Sequence, residues 1–209
     1  MAAPVARFMT ELKGKILRPS LTSQYKVEVL PPTGPGSPNL GYSNQDVLNL
    51  SCSEAALPGS SLMTHEMKDD HHGVTEKIAY RKSYDDSASF TFYVSVDYTA
   101  ITFFENWIRY ISGEDLVSSE FGEANTPAYN HRMEFKKNYQ SQMYINKFEK
   151  DYSENAFTGG EGRTYLQYKF LDAYPSAINS MPVSYDGSQL LKCTVNFNFT
   201  RYMLRVVPY

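Results

Sequence analysis

Four segments of the chain alternate between apolar and polar residues, the period of a half-buried β-strand. They are SQYKVEVL, SASFTFYVSVD, RTYLQYKFLDAYP and KCTVNFNFT, starting at residues 23, 87, 163 and 192. In the last of them Cys193, Val195, Phe197 and Phe199 share one face, and Thr194, Asn196, Asn198 and Thr200 share the other. In the second, Phe90, Phe92, Val94 and Val96 share one face, and Ser89, Thr91, Tyr93, Ser95 and Asp97 share the other. Each of these strands therefore predicts a core face and a polar face.

Three further segments, DVLNLSC, KIAYRKSYDD and YQSQMYINKFE, are also interpreted as strands, and Pro175 is expected to end the strand that precedes it. Directly after Asp97 the apolar period changes from two to about 3.6 residues. The apolar residues Ile101, Phe104, Ile108 and Ile111 then fall at helical spacing, with Trp107 beside them as a core residue. Gly113 lies just past the last turn, where a helix C-terminus prefers glycine. The pattern predicts a mainly β protein with one flanking helix.

Residues 1–209 are predicted to form a single domain with several irregular segments. Residues 1–17 are interpreted as an N-terminal arm, within which residues 4–17 have the apolar spacing of a short amphipathic helix. Residues 53–77 and 112–131 are long, polar segments and are predicted to be loops. Loops of this length in a compact domain are usually functional or serve as assembly arms.

Composition favours β structure and excludes several classes of partner. Aromatic residues make up 14% of the chain, with 17 Tyr and 12 Phe, and such rings pack well across a pleated sheet. The net charge of −3 gives no basic field for nucleic acid phosphates. Cys52 and Cys193 are too few for a disulfide framework and are interpreted as reduced, buried residues of an intracellular product. The N-terminus lacks the apolar region of a signal peptide, and no segment approaches the length of a membrane span.

The residues that carry chemistry form no recognisable active site. The segment HEMKDDHH brings together metal-ligand residue types, namely His65, Glu66, Asp69, Asp70, His71 and His72. Their spacing is not that of a helical zinc protease motif, and the surrounding composition indicates a solvated loop with incidental His. The segment GGEGR lacks the Lys and Ser/Thr of a phosphate-binding loop. Asp85 and Asp86 are interpreted as a turn before a strand. We therefore expect no enzymatic activity, no cofactor and no metal.

The order of motifs resembles that of the tail tube proteins of contractile-tailed bacteriophages, including the related baseplate proteins that initiate the tube. The segments that carry the resemblance are RPSLTSQYKVEV, EAALPG, YDDSASFTFYVSVD, FFENWI and LDAYPSAINSMPVSYDGSQLLKCTVNFNFTRY. In the last of these the matching residues are Tyr174, Pro175, Ile178, Pro182, Ser184, Tyr185, Asp186, Val195 and Phe197. The resemblance covers residues 18–203.

The resemblance implies a fold of two packed antiparallel sheets with a flanking helix, in which one sheet continues between subunits into a hexameric ring barrel. A closed ring removes exposed sheet edges. It implies that the polar residues of two strands line an aqueous channel: Thr194, Asn196, Asn198, Thr200, Ser89, Thr91, Ser95 and Asp97. Contacts between stacked rings are expected at His65, Glu66, Lys68, Asp69 and Asp70.

The implied function is that of a structural virion protein, assembled in the host cytoplasm, whose rings form the inner tail tube. The expected partners are further copies of the chain, the tail sheath protein, baseplate proteins, a tape measure protein inside the tube, and genomic DNA that passes without tight binding. No membrane insertion is expected. Two alternatives remain: a baseplate protein of the same fold that nucleates the tube, and a cytoplasmic β-barrel that binds a small apolar ligand in an aromatic cavity. An enzyme would have only the His-rich segment to support it.

Overall fold

The computed structural model describes residues 20–34, 45–68, 73, 75–113, 133–148, 164–185, 187 and 189–208. Within these residues the strands are β1 (Tyr25–Val29), β2 (Cys52–Ala55), β3 (Ser60–Met67), β4 (Glu76–Tyr84), β5 (Ser87–Tyr93), β6 (Ser141–Lys147), β7 (Thr164–Ile178), β8 (Lys192–Asn198) and β9 (Arg201–Pro208). The helices are α1 (Gln45–Leu50), α2 (Thr99–Ser112) and α3 (Lys136–Tyr139). The described part of the chain is thus mainly β, as the alternation predicts.

The long strand β7 belongs to two antiparallel sheets. Its first half pairs with β6 and β9, and β6 pairs in turn with β1, which makes the first sheet. Its second half pairs with β8, which pairs with β5 and then β2, which makes the second sheet. Between the halves Asp172 adopts a left-handed conformation with φ of 57°. A bend of this kind lets one strand pass from one packed sheet to the other.

The core lies between the two sheets and beneath α2. Inward side chains from both sheets are fully buried where the sheets overlap, including Val27, Ile145, Phe90 and Phe197. Helix α2 closes this layer with Phe103, Phe104 and Trp107, and the Phe104 and Phe197 rings meet edge to face at 5.7 Å between centroids. The Trp107 indole N–H donates a 3.0 Å hydrogen bond to the carbonyl of Tyr139. Phe and Trp side chains therefore fill a large part of this core.

Several predictions of local structure are confirmed. Strands form at the four alternating segments, and α2 ends at Gly113, whose φ of 75° is the left-handed conformation that glycine adopts most easily. Trp107 lies in the core, as its helical register predicts. Asp85 and Asp86 lie between β4 and β5, directly before a strand.

Other predictions are wrong. The segment DVLNLSC, interpreted as a strand, is mostly the helix α1, and the strand begins only at Cys52. The helix forms because it can bury one face, that of Leu48 and Asn49, against β1. The predicted loop at residues 53–77 is wrong for its described part, since β3 and the start of β4 form a hairpin there. Pro175 does not end its strand, because β7 continues to Ile178 at the rim of the second sheet, where a missing N–H is tolerated. Residues 1–17 and 114–131 lie outside the described residues.

Candidate assembly surfaces

A polar face covers the outward side of the second sheet. It consists of Ser87, Ser89, Thr91 and Tyr93 on β5 and Lys192, Thr194, Asn196 and Asn198 on β8. These residues pair directly across the two strands, so Ser89 is opposite Asn196 and Thr91 is opposite Thr194. The Thr91 and Thr194 hydroxyls are 3.1 Å apart and share a hydrogen bond. The alternation in two distant segments of sequence thus produces one continuous surface of hydroxyl and amide groups.

The polar face has a single charged side chain among its members on β5 and β8. Its charged member Lys192 lies at the end of β8, with its Nζ 3.8 Å from Glu54 Oε1 and 5.5 Å from the centre of the Tyr93 ring. Thr91 is only 8% exposed, because Thr194 and β2 cover it. Asn196 donates a 3.4 Å hydrogen bond to Asn179, and its carbonyl accepts one from Ser176. The surface is therefore held in place by its own hydrogen bonds and carries little charge.

Three residues predicted to belong to this face do not lie on it. Strand β5 ends at Tyr93, and Ser95 and Asp97 lie in the connection to α2, where the Tyr98 N–H donates to the Ser95 carbonyl. Thr200 lies in the bend between β8 and β9, and its hydroxyl accepts a 3.1 Å hydrogen bond from the Lys136 ammonium. The predicted strands were too long: the chain leaves β5 after Tyr93 and β8 after Asn198 to begin its next element.

The β3–β4 hairpin, called the hairpin below, is exposed along almost its whole length. Its register pairs Ser60 with Tyr84 at the base and Met67 with Glu76 at the far end. Large apolar side chains nevertheless project from it, namely Leu62, Met63, Met67, Ile78 and Tyr80. By register Met63 and Ile78 are on the same face. An apolar stripe on an exposed two-stranded element is typical of a surface that contacts another protein.

The residues expected to form ring contacts do not all lie on one face of the hairpin. His65 and Glu66 are adjacent in β3, so they point to opposite faces. Glu66 accepts from Lys68 at 2.9 Å and from Lys77 at 3.1 Å, and these hydrogen bonds lower the pKa of its carboxyl. Asp69, Asp70, His71 and His72 lie outside the described residues, and no cluster of metal-ligand residues occurs within the described ones.

Strand β9 is an exposed sheet edge that the sequence interpretation missed. It pairs with β7 from Arg201 to Pro208, and its other edge faces away from the first sheet. Leu204 and Val206 are 52% and 63% exposed although they lie on the core side of the sheet, beyond the cover of the second sheet. The sequence does carry a signal for this strand, because apolar residues alternate along it with mostly basic ones. The alternating sets are Tyr202, Leu204 and Val206, and Arg201, Met203 and Arg205. A long edge of this kind invites pairing with another chain.

The two cysteines are structural. Both pair with Phe92 from its two sides, Cys52 on β2 and Cys193 on β8, so one strand separates them. They are therefore not neighbours, and both are free thiols. Burial raises the pKa of Cys52 to about 12 and that of Cys193 to about 11, so neither is a thiolate at neutral pH. Among the described residues no helix has the length and apolar character needed to cross a membrane.

Comparison with known proteins identifies relatives of this architecture. The sequence profile of the family described as phage tail tube protein matches residues 20–205. A chain of the baseplate of the anti-feeding prophage, determined with six-fold symmetry, has a TM-score of 0.55 at 11% identity, over 91% of this chain and 97% of that one. A chain of the extended sheath–tube complex of the PVC extracellular contractile injection system has a TM-score of 0.50 at 13% identity, over 97% and 100%. A search of curated proteins gave no match.

Proposed function

The chain belongs to the phage tail tube protein family, and on that premise we propose that it forms hexameric rings that stack into the inner tube of a contractile tail. The tube is the conduit through which DNA leaves the virion. The single observation that carries the proposal is the polar face, on which Ser, Thr and Asn side chains from two strands are paired in register. Hydroxyl and amide groups without free cations suit the wall of a channel through which a polyanion must slide.

The remaining surfaces support assembly rather than a monomeric role. The strand β9 has a free edge and apolar side chains on both faces, and the hairpin has an apolar stripe. Both features are liabilities in an isolated subunit and are removed when neighbouring copies cover them. Each subunit makes several such contacts, so a ring of them is stable even where each contact is weak.

The proposal assigns specific residues to the wall of the bore and to the contact between rings. Ser89, Thr194, Asn196 and Asn198 line the bore, whereas Thr91, predicted to join them, is buried beside Thr194. The hairpin, with His65, Glu66 and Lys68, contacts the next ring. The sheath protein surrounds the tube, the tape measure protein occupies the bore before DNA, and the baseplate holds the first ring. The protein acts in the virion tail after assembly in the host cytoplasm, without enzymatic activity.

Electron microscopy of the purified protein tests the proposal. We expect rings with six-fold symmetry and, at higher concentration, hollow tubes of uniform width. A protein that stays monomeric at every concentration, with no rings in the presence of baseplate components, contradicts it. A monomeric ligand-binding barrel would give the same negative result. The described core does not support such a barrel, because Phe90, Phe104 and Phe197 pack ring against ring where a ligand cavity would be needed.

The stoichiometry in the virion separates the repeated tube subunit from a baseplate initiator. The fold is shared by the baseplate chain and the sheath–tube chain described above, so the comparison does not favour either role. Gold labelling or quantitative mass spectrometry of purified tails distinguishes them. We expect many copies along the tail for the tube subunit, whereas one or two rings at the base identify the initiator.

A further inference from the structure

One end of the second sheet exposes a group of large apolar side chains, called the end patch below. Strand β5 ends there beside the start of β8, since Tyr93 pairs with Lys192 and the Val94 N–H donates to the Leu191 carbonyl at 3.0 Å. The connection from β5 to α2 and the connection from β7 to β8 both lie at this end. Their apolar members are each more than half exposed: Val96, Tyr98, Val183, Tyr185 and Leu190. Such a group is typical of a surface that another segment or another protein covers.

The N-terminal part of the chain enters the body at the same end of the second sheet. The Tyr25 hydroxyl, at the start of β1, donates a 3.2 Å hydrogen bond to the Cys52 carbonyl. The neighbouring Ser51 carbonyl accepts a 2.8 Å hydrogen bond from the N–H of Tyr93, the last residue of β5. The start of β1 therefore lies close to the end of β5, and the N-terminal arm, residues 1–17, joins the body near the end patch.

The N-terminal arm has an apolar face that needs a partner. The spacing of its large apolar residues predicts an amphipathic helix over residues 4–17, about 21 Å long at 1.5 Å per residue. A helix this short is stable mainly when it buries its apolar face against another surface. The residues of that face are Val5, Phe8, Met9, Leu12 and Ile16.

We propose that the N-terminal arm docks as an amphipathic helix on the end patch of its own subunit. A short length of chain joins the two, so the effective concentration of the arm at the patch is high. The other exposed apolar surfaces lie farther from the start of β1. The hairpin connects β2 to the first residue of β5, at the opposite end of the second sheet, and β9 lies on the far side of β6 and β7 from β1 in the first sheet. The contact forms within one subunit and does not depend on the tube function.

Limited trypsin digestion of the full chain tests the contact, because trypsin cleaves after the Lys and Arg residues of the arm. The informative variant is Val96→Asp with Leu190→Asp, which places two charges on the end patch. The matched control is Leu62→Asp with Tyr80→Asp, which places two charges on exposed positions of the hairpin. We expect cleavage within the arm to be about tenfold faster in the patch variant, since a docked helix must leave its surface before the protease can cut it. The control should be cleaved at the wild-type rate.

Hydrogen exchange measured by mass spectrometry tests the same contact from the side of the arm. Phe8→Asp with Leu12→Asp should make the amides of the end patch exchange faster, because the arm no longer covers them. Thr10→Asp with Gly14→Asp adds the same charge to the opposite face of the predicted helix and should leave this exchange unchanged. Exchange within β5 and β8 reports whether the body of each variant remains folded.

Three results would overturn the proposal. The first is equal cleavage of the arm in the patch variant and the wild type. The second is faster cleavage in Leu204→Asp with Val206→Asp but not in the patch variant, which would place the arm on β9. The third is cleavage that accelerates on dilution, which would mean that the arm docks on another copy. All measurements use unassembled subunits isolated by size exclusion, so they report on the arm whether or not the protein forms rings and tubes.

Discussion

Gly59 and Asp85 are bonded to each other at the base of the hairpin. The Gly59 N–H donates a 2.6 Å hydrogen bond to Asp85 Oδ2, and the Asp85 N–H donates a 3.2 Å hydrogen bond back to the Gly59 carbonyl. Beside this pair the Tyr84 ring meets the Tyr202 ring of β9 edge to face at 5.5 Å. The connection between the body and the hairpin is therefore fixed, although the hairpin beyond it is exposed.

Replacing Asp85 with Ala should loosen the hairpin without unfolding the body. Losing one side-chain hydrogen bond of this kind lowers the free energy of opening the hairpin by about 1 kcal/mol. This corresponds to roughly fivefold faster hydrogen exchange of the hairpin amides. Exchange followed by mass spectrometry measures the effect at residues 60–84. Asp86→Ala is the control, and equal exchange in both variants would show that the Asp85 carboxylate does not hold the hairpin.

The apolar stripe of the hairpin should be needed for assembly and not for folding. Met63→Asp combined with Ile78→Asp places two charges on exposed positions, so the free energy of unfolding should change by about 0.5 kcal/mol or less. We expect tube formation, measured by sedimentation and electron microscopy, to be lost. Ser61→Asp on the same face of the hairpin should assemble normally. Tubes of wild-type yield from the double variant would remove the stripe from the interface.

Cations introduced on the polar face should make the bore retain DNA. Thr194→Lys with Asn196→Lys adds two positive charges for each subunit to a face whose one cation, Lys192, lies near Glu54. Because phosphate contacts dominate nucleic acid affinity, we expect tubes of this variant to bind short single-stranded DNA with a steep dependence on salt. The control is Leu21→Lys, an exposed position that precedes β1 of the first sheet. Identical DNA binding by both variants would argue against a bore lined by β5 and β8.

Trp107 should be the most sensitive position of α2. Its indole ring is 1% exposed, meets the Phe103 and Phe197 rings, and bonds to the Tyr139 carbonyl. Trp107→Ala leaves a large cavity and should lower the free energy of unfolding by about 3–5 kcal/mol in urea titrations. Trp107→Phe keeps most of the volume and should lose less. A loss under 1 kcal/mol for the Ala variant would mean that the helix does not close the core.

The buried Cys193 should make stability fall at high pH. Burial raises the pKa of its thiol from 9.0 to about 11, so the folded protein holds this proton while the unfolded chain releases it. The resulting stabilisation is complete below pH 9 and is lost as the pH rises towards 11. Melting temperatures measured across this range should fall less steeply in Cys193→Ala than in the wild type. Parallel curves for the two proteins would show that this thiol does not contribute.

Features of short range were predictable from the sequence. The alternation around Phe90 and Phe92 and around Val195 and Phe197 gave both strands of the polar face, because the two-residue period follows from the geometry of a single strand. The helical spacing through Trp107 and the position of Gly113 gave α2 and its end for the same local reason. The tail tube resemblance was likewise carried by short segments, and the family match confirms it.

Features that depend on pairing between distant segments were decided by the tertiary structure. The polar run of residues 53–77 gives no local sign of a hairpin, because the exposed strands of such a hairpin need no core face. The switch of β7 between sheets at Asp172 and the separation of Cys52 from Cys193 by one strand are also products of strand order. Local sequence sets which face of a strand is apolar; only the pairing of strands decides which residues from distant segments share a surface.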